Sequence, residues 1–240
     1  MQNPTITDEM PANMLDLSAP ERWRRALKAL ARVMANPEET DQVLLFVGYA
    51  NAGAIARRQA ALAGDPEWER LYADHPAIDS HTVDLAALAA LPEGSLGRAY
   101  ATFLIANHLT PDVFDGSPPG VSDPRIAYAI QRLRQTHDLW HVVTGHNTDF
   151  AGEIRLQAFT FAQLGGPASA ILATVGTLRA RSLHAALGRE ALAAYRAGKR
   201  ANRLATYRWE DRWATPLATV RAELGDTPVS FARIDVALAA

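Results

Sequence analysis

A nearly all-α fold is predicted by three features of this chain. Helix starts recur: Ser18-Ala-Pro-Glu21 has the spacing of a capping box, and Asn36-Pro37, Asp65-Pro66, Asp123-Pro124 and Thr215-Pro216 each pair a capping side chain with a proline at the first helical position, where its missing N–H costs nothing. Apolar residues then return at helical intervals, as in Trp23, Leu27, Leu30, Ala31 and Met34. Period-two alternation is confined to a few residues near Pro228 to Val236, and no Asn-Gly or Asp-Gly turn joins two apolar runs; Asp115-Gly116 leads into Ser-Pro-Pro-Gly instead.

In order, these signals place a helix over 19–35 from the capping box, over 38–49 from the Asn36-Pro37 start, and over 51–63 along the alanine-rich run that follows. Asp65-Pro66 opens 66–73; helices over 83–91 and 94–107 come next. Asp123-Pro124 opens 124–145, which Gly145 ends with a left-handed cap, and Asn147 or Thr148 opens 149–163. Helices over 167–187, 189–205 and 216–224 complete the set, the last from Thr215-Pro216. The strongest break is Thr110 to Pro124, whose prolines and glycines deny helix to most of it. Neither side of it is rich enough in large apolar residues to bury a core alone, so the expectation is a loose arm over 1–17 and one multi-helix bundle over 18–240.

Composition excludes several function classes. The chain has 240 residues, a formal charge of −2 and a pI near 6.4, which provides no global footprint for nucleic acid. With no cysteine, there are no disulfides, iron–sulfur clusters, thiolate zinc sites or cysteine nucleophiles, so any metal must be held by nitrogen and oxygen. The N-terminal stretch lacks the basic start and apolar run of a secretory signal, and charges interrupt every window long enough to span a membrane. If a membrane matters, the protein is expected to lie on it.

Thr136 to Glu153, "THDLWHVVTGHNTDFAGE", concentrates three histidines and three acids. On a helix turning about 100° per residue, His137 and His141 fall about 40° apart and Asp138 lies within about 60° of His141, so the three share a face. Ile126, Ile130, Leu133 and His137 continue a stripe toward the core, so that face is at least partly buried, where imidazoles and a carboxylate are costly unless paired or coordinated. The chain then turns at Gly145, and the returning helix sets Glu153 opposite His141. His137, Asp138, His141 and Glu153 thus form a candidate mixed nitrogen/oxygen metal site of helix–turn–helix type. His146 and Asp149, in the turn, are candidates for supporting those ligands, although turns favour such residues for local hydrogen bonding alone.

These residues carry a resemblance. "HDLWHVVTGHNTDFAGE" resembles the HDxxH-x11-E motif of the coenzyme Q (ubiquinone) biosynthesis protein four family, with His137, Asp138, His141 and Glu153 in its four positions. "LPEGSLGRAYATFL" (91–104), "RLRQTHDLWHVVTG" (132–145) and "WEDRWATPLATVRAELG" (209–225) are similar to further parts of that family, so the likeness runs over about residues 20–225. The resemblance implies an α-helical protein, often a homodimer, holding a divalent ion at the motif: zinc first, iron or manganese as alternatives. It implies oxidative decarboxylation of a polyprenylated benzoate, with a hydroxyl replacing the carboxylate at ring carbon one, or else a non-catalytic lipid-binding scaffold for other ubiquinone-biosynthesis proteins. The expected partners are the polyprenylated quinone precursor, a membrane surface and those proteins; the expected location is the bacterial cytoplasm, on the inner face of the cytoplasmic membrane.

For the polyprenyl tail, the candidate apolar faces are those of 41–56 and 168–187, where Gly48, Ala50, Gly53, Ala54, Ala168, Ala170 and Gly176 permit either a slot or simply close helix packing. Arg24, Arg25 and Lys28 are candidate headgroup contacts or an ordinary solvated face. Two rival enzymes fit less well: a His-Asp phosphohydrolase, because there is no second His-Asp dipeptide, and an HExxH zinc peptidase, because Asp138 is one methylene short of the required base.

Overall fold

The computed structural model describes residues 11–36, 39–112, 118 and 120–225. Among them are eleven α-helices and no strand, as the capping and periodicity predict. They are α1 (Ala19–Ala35), α2 (Thr40–Leu62), α3 (Pro66–Asp74), α4 (Leu85–Ala89), α5 (Leu96–Ala106), α6 (Pro124–Gln135), α7 (His137–Thr144), α8 (Phe150–Leu164), α9 (Pro167–Ala180), α10 (Leu187–Arg200) and α11 (Leu217–Leu224).

Local chemistry sets most of the boundaries. Ser18 Oγ accepts from Glu21 N, Asp65 Oδ1 from Glu67 N and Trp68 N, and Asp123 Oδ1 from Arg125 N and Ile126 N, each satisfying donors of a first helical turn. Thr215 does not cap α11. Its carbonyl instead accepts from Leu96 N at 2.9 Å, and the Trp213 carbonyl from Gly97 N at 2.8 Å, so this stretch closes the start of α5. Asn36 ends α1 as its C-cap. Pro37, the alternation expected near 228–236 and the Asp115-Gly116 turn lie outside the described residues.

Two expected helix boundaries moved, the first for a tertiary reason and the second for a local one. The helices expected over 38–49 and 51–63 are one, because Asn51 does not break α2; its Oδ1 accepts from Ala168 N at 3.0 Å and so caps α9, whose own N-cap, Gly166, has no side chain. Conversely, the helix expected over 124–145 divides at Thr136, whose hydroxyl donates to the Arg132 carbonyl four residues back at 2.9 Å, a bond that competes with regular helix geometry. The helix expected over 167–187 stops at Ala180, and that over 189–205 stops at Arg200. There the Gln163 amide takes the Gly198 carbonyl at 2.6 Å, and its oxygen accepts from Leu204 N at 3.2 Å.

The main core is built from α4, α5, α7, α8, α10 and α11 around Tyr100, Leu139, Trp140, Phe159 and Trp209. The α8 and α10 axes approach closely at Gly198, where a Cβ would stand 2.7 Å from the Phe159 carbonyl. A second core joins α1 and α2 through Ala26, Leu45, Phe46 and Tyr49, and Ala168 of α9 is part of it. Since α9 also packs on α8, it links the two. Ala50 and Ala168 are buried in that contact, so there the small residues serve close helix packing.

The loose arm expected over 1–17 does not hold for its last residues. Met14–Asp16 form a 3-10 turn, Met14 is buried, and its N–H donates to the Gly120 carbonyl at 2.7 Å. Gly120, at φ 72°, holds a backbone conformation that disfavours a side chain, and a Cβ would meet Met14 Cγ at a tight 3.1 Å. No helix among the described residues is long and apolar enough to cross a membrane.

Candidate metal centre

The centre forms where α7 turns back into α8. Gly145 adopts φ 73° as the left-handed cap of α7, and its N–H donates to the His141 carbonyl at 2.8 Å. The N-cap of α8 is Asp149, rather than Asn147 or Thr148; its Oδ1 accepts from Gly152 N at 2.7 Å. Thr148 turns outward and donates to Asn107 Oδ1 at 2.7 Å. The turn is tight: a Cβ on Gly152 would lie 2.0 Å from the Asn147 carbonyl oxygen, so only glycine fits beside Glu153.

This turn brings Glu153 Oε1 to 3.2 Å from His141 Nε2, and ligand atoms of His137, His141 and Glu153 all lie within 4.8 Å of one another. The His141 side chain is 1% exposed, against 32% for His137 and 38% for Glu153, so the group has one fixed inner member and two accessible outer ones. Asp138 is not in this group. One residue after His137, it sits on the flank of α7, where Oδ1 is 3.4 Å from His137 Nδ1.

The hydrogen bonding of His141 shows what the site requires. Its Nδ1 is 2.9 Å from the His146 carbonyl. A carbonyl only accepts, so Nδ1 carries the proton, and in the neutral ring Nε2 is an unprotonated lone pair. That lone pair faces a carboxylate oxygen without a hydrogen bond between them. Two acceptors this close, one of them buried, are suited to a cation between or beside them. A proton is one answer: burial opposes charging the ring, yet Glu153, the His146 carbonyl and Asp138 together raise the His141 pKa above the ordinary imidazole value. A divalent metal is the other, since two donors about 2.1 Å from a tetrahedral zinc stand about 3.4 Å apart.

His146 and Asp149 support the site by different means. His146 contributes its carbonyl, while its own ring is buried and pushed down to about 3 by that burial, with Arg155 and His141 adding to it. Asp149 caps α8 and lies 4.0 Å from Arg155 Nη2. Arg155, 1% exposed, donates to Glu190 Oε2 at 2.7 Å, and His184 Nε2 lies 3.0 Å from that same oxygen. Arg221 donates to the Val142 and Val143 carbonyls, each at 2.9 Å, closing the end of α7. Sequence reasoning singled out none of Arg155, Glu190, His184 and Arg221. Arg155 between the apolar Ile154 and Leu156 signals a buried charge in need of a partner, but nothing local says which.

A cleft of about 670 Å³ opens beside His141 between the outer face of α5, the α7–α8 turn and the start of α11, with Arg98, Phe103, Asn107 and Asn147 in its wall. The Phe103 ring stacks on His141, with centroids 5.5 Å apart and planes 24° apart.

Comparison with known proteins matches residues 12–229 to the family described as coenzyme Q (ubiquinone) biosynthesis protein Coq4. The chain is 34% identical over 205 residues to the mitochondrial ubiquinone biosynthesis protein COQ4 homolog of Rattus norvegicus, covering 85% of this chain and 77% of that protein. Against the Homo sapiens homolog the identity is 33% over 204 residues, covering 84% and 77%. Among solved structures, that of a candidate ubiquinone biosynthesis protein from Nostoc punctiforme superposes with a TM-score of 0.68 at 29% identity, covering 84% of this chain and 97% of that one.

Proposed function

Because this chain belongs to the coenzyme Q (ubiquinone) biosynthesis protein Coq4 family, we propose that His137, His141 and Glu153 hold a divalent ion, zinc first and iron or manganese as alternatives, for oxidative decarboxylation of a polyprenylated benzoate. The observation that carries this reading is the buried His141 lone pair set against the Glu153 carboxylate, a donor arrangement that calls for a cation. When bound, the ion supplies Lewis acidity toward a carboxylate or phenolate oxygen of the ring. The protein's own part is positional. His146 holds His141 in one tautomer, Asp138 orients His137, and half-exposed Glu153 can swing to complete the coordination. The cleft takes the ring against Phe103, within reach of the Asn107 and Asn147 side chains, and Arg98 at its edge offers a positive charge to an acidic substituent.

The polyprenyl tail has to remain in lipid or against an apolar face. On α1, Trp23, Leu27 and Met34 form an exposed apolar stripe beside Lys28, which suits a helix lying at an anionic membrane surface; Arg24 and Arg25 are both paired with Glu21. In this reading the protein acts as a homodimer on the inner face of a bacterial cytoplasmic membrane, alongside other ubiquinone-biosynthesis proteins.

The test supplies purified protein with a polyprenylated carboxylated precursor, oxygen and metal. Wild type is expected to release carbon dioxide and form the hydroxylated ring, and His141→Ala to lose turnover and metal content together. Turnover by metal-free protein rules out the metal-dependent reading. Binding of the precursor without conversion, by metal-loaded protein, selects a non-catalytic scaffold instead.

A further inference from the structure

One ring contact on His141 and two hydrogen bonds behind it tie the imidazole to residues outside the candidate ligand group. Phe103 covers one face of the imidazole. One turn later on α5, Asn107 donates through Nδ2 to the Phe103 carbonyl at 2.8 Å and accepts through Oδ1 from the Thr148 hydroxyl at 2.7 Å. Thr148 belongs to the same turn as His146, whose carbonyl holds His141 Nδ1. The last turn of α5 therefore grips both the ring and the loop that fixes its tautomer.

We propose that Phe103 and Asn107 form a positioning clasp for His141, with Phe103 setting the tilt of the imidazole and Asn107 tying the His146–Thr148 turn in place. The inference rests on the metal reading above and extends it to residues outside the HDxxH-x11-E pattern. Its physical basis is the asymmetry of the site. His137 and Glu153 are half-exposed and adjustable, so the direction of the Nε2 lone pair on buried His141 decides where an ion sits. A ring tilt of about 10–20° is enough to degrade a coordination site. Residues behind a ligand commonly change metal affinity about 10–100-fold. Phe103, Asn107, His141, His146 and Thr148 all line the one cleft, so a molecule seated there touches the clasp directly.

The experiment compares wild type, Phe103→Leu, Phe103→Tyr and Asn107→Ala in three measurements: Zn²⁺ affinity by chelator competition, the visible absorption spectrum of the Co²⁺-loaded protein, and histidine side-chain NMR of the metal-free protein. Phe103→Leu is expected to weaken Zn²⁺ binding about tenfold or more and to shift the Co²⁺ bands, while Phe103→Tyr, which retains a ring face, stays close to wild type. Asn107→Ala is expected to weaken binding in the same direction and to mix the His141 tautomers; it also serves if Phe103→Leu fails to fold. Unchanged Zn²⁺ affinity and Co²⁺ bands in folded Phe103→Leu, or in Asn107→Ala in its place, overturn the clasp. If wild type itself binds no divalent ion, the metal reading fails, and NMR of the metal-free protein judges the clasp alone. In that case, at alkaline pH where the ring is neutral, His141 should lose its ring-current shift in Phe103→Leu and its single Nδ1–H tautomer in Asn107→Ala, and a ring unchanged in both variants overturns it.

Discussion

His146 and His141 stand five residues apart with opposite proton affinities. Burial holds the His146 pKa near 3, whereas an imidazole in the unfolded chain titrates near ~6.5. Between those values the unfolded state binds the extra proton, so the His146 contribution to stability is fully present above about 6.5 and is lost as pH falls toward 3. His141 is shifted the other way: its contribution is present below the unfolded pKa and is lost as pH rises through the folded one. Urea melts of metal-free wild type and His146→Asn across pH 7.5 to 4.5 separate the two, and the variant is expected to lose less stability on acidification. At this scale the HDxxH spacing was legible because i and i+4 neighbours share a helix face whatever the tertiary structure. Where Asp138 falls relative to the other three was not, since a difference of about 60° on a wheel does not say which flank meets Glu153.

At the scale of elements, the α7–α8 turn carries the site. Asp149→Ala removes the cap of α8 and is expected to cost about 1 kcal/mol, read as a shift in the denaturation midpoint. Gly152→Ala places a methyl against the Asn147 carbonyl and is expected to cost about 1–3 kcal/mol while also weakening metal binding, because Glu153 is the next residue. A Gly152→Ala variant with wild-type stability would show that the turn relaxes at no cost. Caps were read well from sequence where the partner lies two or three residues away, as at Ser18, Asp65 and Asp123. The cap at Thr215 was misread, since its carbonyl accepts from Leu96 N instead, and the one Asn51 gives to Ala168 was missed.

Over the whole molecule, single side chains join helices far apart in sequence. Asn51→Ala uncaps α9 and loosens the seam between the α1–α2 core and the rest; a loss of about 1 kcal/mol is expected, with faster amide exchange confined to the first turn of α9. Arg155→Met leaves Glu190 and Asp149 without their buried cation, and an expected cost of about 3–5 kcal/mol would lower the thermal midpoint of metal-free and metal-loaded protein alike.

The sequence by itself determined the helical class, the local caps and the spacing that places His137, His141 and Glu153 around one turn, because each follows from period, side-chain reach and the conformations open to glycine and proline. Tertiary structure alone decided that α2 continues through Asn51 and that Phe103, Asn107 and Arg155 stand behind the site. Those outcomes depend on partners between 35 and 117 residues distant, which leave no mark in local sequence pattern.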